Sequence, residues 1–99
     1  MILDWFNAKE SKAFGKSLAQ FYAQRAATEA DRKSKKFVER KQRELLDKLG
    51  QRVAVFKSKN RLNVYKKAQV GNSFKWQMLD AGYEPSYVDE LTSWVTHQL

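Results

Sequence analysis

The chain has 99 residues and no cysteine. That is the size of one domain, and it excludes disulfides, cysteine-bound zinc, iron–sulfur clusters and a thiol nucleophile. Hydrophobic residues make up 42% and aromatics 13%, too much apolar side chain for a disordered segment, and the net charge of +8 turns attention to anionic partners.

One Pro and four Gly are too little turn punctuation for a many-stranded β protein. The expected fold is all-α: a single helical domain over 1–99, a bundle of three longer helices (about 7–27, 29–57 and 60–81) and a short C-terminal one (about 87–97). The opening stretch has no basic n-region, and Asp4 and Asn7 interrupt its apolar run, so it does not read as a signal peptide. No window approaches the run of about 18 apolar residues that a membrane span needs, and the expected compartment is the reducing cytoplasm. Ile2, Leu3, Trp5 and Phe6 form an apolar cluster ahead of the first helix. It is expected foremost to fold back on the bundle; pairing with a second copy or lying on a membrane surface are the alternatives.

The first helix is expected to start at Asn7, with Glu10 at the capping-box position. Phe14, Leu18, Phe21 and Tyr22 share one side, and Lys9, Lys12 and Lys16 the other. Thr28 is the expected cap of the second helix. Gly50 and the β-branched stretch Arg52–Lys57 suggest a break and a hairpin with Leu62–Lys66. The apolar periodicity decides against it: Phe37, Val38, Leu45 and Leu49 before Gly50, and Val53, Val55 and Phe56 after it, stay in one sector without a phase jump. Lys41, Lys48 and Arg52 point into that same sector, where their stems snorkel over the core edge or mark an incompletely covered face.

The third helix carries a broad apolar stripe of Val64, Tyr65, Ala68, Gly71, Trp76, Met78 and Leu79, with Ala68 and Gly71 small enough for a neighbouring helix to approach. Gly82 is the expected left-handed residue after its end. Ser86 is the expected cap of the last helix, with Asp89 in the capping-box position.

Charge is divided unevenly. Residues 1–31 are neutral overall, 32–75 carry +12, and 76–99 contain no Lys or Arg and carry −4. The basic run on the second helix is the candidate site: Arg32, Lys33, Lys36, Arg40 and Arg43 fall opposite the apolar sector, where a row of cations tracks phosphates without regard to sequence. The competing reading is a solvated face, with Glu39–Arg43, Arg40–Glu44, Arg43–Asp47 and Glu44–Lys48 as i, i+4 supports of the helix. A helix-turn-helix centred on Gly82 is disfavoured, because Ser86–Gln98 has no Lys or Arg and would bring Asp89 and Glu90 against phosphates.

Enzymatic constellations are missing. His97 is the sole histidine, and no phosphate-binding glycine loop or calcium-loop spacing occurs. The expected function is therefore a small, basic, non-enzymatic binding module without cofactor or metal, whose partner is a polyanion, foremost nucleic acid. The alternative is a protein-interaction or self-assembling module, in which the basic middle of one chain meets the acidic tail of another.

Overall fold

The computed structural model describes residues 8–26 and 35–99, the side chains of 35–39 excepted. The described residues form four helices and no strand: α1 (Lys9–Arg25), α2 (Lys35–Lys59), α3 (Val64–Asp80) and α4 (Pro85–Gln98). The all-α bundle is as expected, and the stretch after Gly50 is helical, not a hairpin. None of the helices is long and apolar enough to cross a membrane. At 1.5 Å per residue α2 is roughly 37 Å long, within a molecule measuring 52 × 24 × 18 Å.

The strongest contact is α1 against α3, and Gly15 makes it possible. A Cβ built on Gly15 would lie 2.3 Å from the Val70 carbonyl oxygen and 3.1 Å from the Phe74 nitrogen, so the two backbones nearly touch there. The Ser73 hydroxyl donates to the Lys12 carbonyl at 2.6 Å and fixes the register of the crossing. Leu18, Phe74, Met78, Val70 and Val88 are fully or almost fully buried around it. The other close approach is at Gly71, where a Cβ would meet the Thr96 methyl of α4 at 2.6 Å. Helix α2 leans on α1 and α4 through Leu45, Leu49 and Val53, so one cluster joins all four helices. Tyr22 of α1 and Tyr87 of α4 share a hydroxyl–hydroxyl hydrogen bond. Gln42 of α2 donates to Tyr87 at a long 3.5 Å.

Several expectations need correction. Ala8, not Asn7, occupies the cap position of α1 and makes no side-chain cap bond; Ala8 and Ser11 are buried, so packing rather than capping holds this first turn. Asn7, the apolar cluster Ile2–Phe6 and the Thr28 cap lie outside the described residues, as do the side chains of Phe37 and Val38. Helix α3 starts at Val64, with Asn63 accepting from the Lys66 N–H at 2.8 Å. Its buried face is Val70, Gly71, Phe74 and Met78. Val64, Ala68 and Trp76 instead stand on an outer i, i+4 ridge, with Val64 82% and Trp76 58% exposed. The apolar positions of this helix cover two arcs, and the arc holding Gly71 wins because only there can neighbouring helices come close. Gly82 has φ +92°, as its place after α3 requires.

Helix α4 begins earlier than Ser86. Pro85 takes the first helical position, which suits its fixed φ and missing N–H, and Glu84 caps the helix by accepting from the Tyr87 N–H at 3.1 Å. The Ser86 hydroxyl, and then the backbone N–H groups of Ser86 and Tyr87, hold the Glu84 carboxyl below the usual glutamate range.

Gly15→Ala should lower the urea midpoint, by about 1–3 kcal/mol of stability or more, because backbone must move. Gly50→Ala should raise it by up to about 1 kcal/mol, since its Cβ meets nothing nearer than 3.8 Å. The lowered Glu84 value means the folded state holds its proton less tightly than the unfolded chain. The capping contribution is then present above the ordinary value of 4.5 and lost as pH falls through the lower folded-state value. Acid unfolding followed by circular dichroism should show this, and Glu84→Gln should remove that part of the acid limb.

Candidate functional site

Helix α2 carries more cations than its packing uses. Arg40 and Arg43 are exposed on it. Of the expected supports, Arg40–Glu44, Arg43–Asp47 and Glu44–Lys48 do not close to ion-pair distance. The Glu39 side chain lies outside the described residues, as do Arg32, Lys33 and the side chain of Lys36, though Lys36 itself is on α2. The acidic end of the chain does not cover Arg40 or Arg43. Asp89 pairs with Lys75 of α3 at 3.4 Å, and Asp80, Glu84 and Glu90 pair with no cation among the described residues.

The structure brings a different set of cations together. Between α1 and the C-terminal half of α2 runs an open groove of about 670 Å³. Phe14, Phe21 and Phe56 form its apolar floor. Phe14 and Phe56 stack face to face, centroids 4.0 Å apart and planes 3° off parallel. Arg25 from α1, and Lys48, Arg52 and Lys59 from α2, form its rim. The polar remainder is Ser17, Gln51 and Asn60, and no carboxylate among the described residues lines the groove. Val55, expected near the core, stands at its edge and is 53% exposed.

Helical geometry explains the row. At about 100° per residue, Lys41, Lys48, Arg52 and Lys59 fall within about 40° of one another, on the flank of the buried face. Arg43 points about 180° from Arg52 and Arg40 about 120° from it, so neither shares that row. Glu44 and Asp47 lie on the outer side of the row, and both are exposed.

Phe21 organises the rim. The guanidinium carbons of Arg25 and Arg52 lie 4.0 Å and 3.7 Å from its ring centroid. Each gains from the ring quadrupole, by about 0.5–1 kcal/mol at an exposed position. The ring in turn is covered: Phe21 is only 8% exposed, with Arg52 of α2 and Arg25 of α1 lying over it. The two like charges are held within about 8 Å of each other, which an anion beside both of them would relieve.

Of the residues that sequence reasoning singled out for a site, Arg40 and Arg43 are placed on the surface but outside the groove. Arg25, Lys48, Arg52 and Lys59 were not singled out. The signal for Lys48 and Arg52 was their position inside the apolar sector, and the groove is the incompletely covered face that this position marks. No protein-family model, curated protein or solved structure matches this chain.

Proposed function

We propose that the protein is a small, non-enzymatic binding module that contacts a polyanion, foremost nucleic acid, through the cationic surface of α2. The observation that supports this most is the row of cations on α2, of which Lys48, Arg52 and Lys59 share with Arg25 the lining of a groove that no carboxylate among the described residues lines. From Lys41 to Lys59 the row runs about 27 Å along the helix axis, far longer than one small anion needs. Arg40 and Arg43 widen the positive field on the outer faces of α2; Arg32, Lys33 and the Lys36 side chain, which the sequence also offers for this role, lie outside the described residues.

A polymer of phosphates binding such a row releases condensed counterions, so affinity falls steeply as salt rises. Titration of labelled DNA and RNA at a low and a moderate salt concentration tests this. Four single-strand phosphate contacts would give a log–log slope of about −3. Absence of binding at low salt, or affinity indifferent to salt, overturns the proposal.

One observation favours a second reading, a protein-interaction or self-assembling module. Val64 and Trp76 are exposed on the outer ridge of α3, with Ala68 between them, and Trp76 is steadied by a 3.1 Å bond from its indole N–H to the Asn72 side chain. Sedimentation at high protein concentration and low salt decides it: association that Trp76→Ala abolishes supports this reading, and a strict monomer removes the self-assembling form.

A further inference from the structure

We propose that the groove between α1 and α2 seats single-stranded rather than duplex nucleic acid, with bases against the Phe14–Phe56 floor and phosphates on the Arg25, Lys48, Arg52 and Lys59 rim. The inference rests on the polyanion reading and names the form of polyanion that the groove takes.

Two kinds of surface lie side by side there. The rim is cationic and, among the described residues, contains no carboxylate, so its complement is a chain of anions. From Lys48 to Lys59 alone the rim extends about 16 Å along α2, room for more than one phosphate. The floor is aromatic and partly covered: Phe14 and Phe56 stack on each other and pack against the core, and Val55 adds exposed apolar surface between the cations.

A duplex keeps its base faces stacked inside and offers phosphates and groove edges, which would satisfy the rim and leave the floor wet. A single strand offers both phosphates and flat apolar faces at short intervals. Stacking of bases on aromatic rings tolerates any sequence, because every base has such a face. The guanidiniums lying over Phe21 add to the platform, since a planar guanidinium receives a base on its outer side while its N–H edge reaches phosphate oxygen. The hydroxyl of Ser17 and the amide of Gln51 supply polar contacts without a fixed base code. The Asn60 amide is already turned inward, donating to the Phe56 carbonyl at 3.0 Å, and fixes the end of α2 below the groove.

Fluorescence anisotropy with a short labelled mixed-sequence single strand, as DNA and as RNA, and with the matching DNA duplex tests the inference on the full chain at one low salt concentration. The single strands should bind at least about tenfold more tightly than the duplex, at the lower end of what base stacking supplies per platform. Phe56→Leu keeps the apolar bulk and removes the ring. It should weaken single-strand binding about fivefold or more, and leave the duplex affinity and the salt slope unchanged. Val55→Glu places a negative charge at the exposed groove edge without disturbing the core, and should weaken single-strand binding more than tenfold. Circular dichroism checks that both variants fold. Equal affinity for single strand and duplex, with both variants like the parent, overturns the groove inference and leaves the polyanion reading standing. Failure of every oligonucleotide to bind at low salt overturns the polyanion reading itself, and the inference with it.

Discussion

The Gly15 crossing sets the rest of the molecule. Because α1 and α3 meet backbone to backbone at Val70 and Phe74, they form a thin, tightly joined pair, and the side chains of α1 are divided between two neighbours. Leu18 and Tyr22 turn inward, while Phe14 and Phe21 are carried to the flank that faces α2. A larger residue at position 15 would push α1 away from α3 and rotate that flank. The positions of the aromatic floor and of Arg25 therefore depend on an atom that is missing from residue 15.

Helix α2 covers the flank only in part. Among its described side chains it has three buried aliphatic anchors, Leu45, Leu49 and Val53, and it packs on α1 and α4. Leu49 sits under both, and Trp94 of α4 comes within 3.8 Å of where a Gly50 Cβ would be. The next positions round the helix toward α1 are Lys48 and Arg52, not leucines. Long cationic stems can cover apolar surface while keeping their heads in water, and Arg52 does so over Phe21. The same substitution of cations for leucines leaves a groove where a closed bundle would have none. Partly covered aromatic rings and like charges held close together both carry a cost in the isolated chain, and under the proposed reading one ligand class would relieve both.

Helix number, order and approximate ends were legible because the periodicities are long and the caps or breakers sit close to the true ends. The continuity of α2 through Gly50 was legible because Leu45, Leu49, Val53 and Phe56 keep phase across it. Cap identity was less so: Glu84 displaced Ser86 because Pro85 can take the first helical position, a preference that the capping pattern alone does not weigh. The buried arc of α3 was misread because hydrophobicity alone cannot rank two apolar arcs. Val64 and Trp76 are more hydrophobic than Gly71, yet it is the bare α-carbon of Gly71 that lets α4 approach. The groove was legible only as an anomaly, the cations Lys41, Lys48 and Arg52 in an apolar sector. Its other wall, with Arg25 and the Phe14–Phe56 stack, joins residues far apart in the chain and depends on the angle set at Gly15.

The split in charge along the chain acquires a spatial sense from this arrangement. The acidic residues of the C-terminal segment belong to the end of α3, the following turn and α4, none of which lines the groove. Asp89 spends part of its charge on Lys75, close at hand on α3, rather than on the α2 row. Among the described residues the row is thus not neutralised by the acids of the C-terminal segment. Under the proposed reading, an approaching polyanion would be drawn toward α2 rather than α4, and the charge pattern would orient the encounter before any contact forms. In low salt this steering acts over tens of ångströms, and within about 10 Å at moderate salt, where the short-range stacking surface of the groove takes over. Charge would then bring and align the ligand, and the aromatic floor would decide which form of it stays.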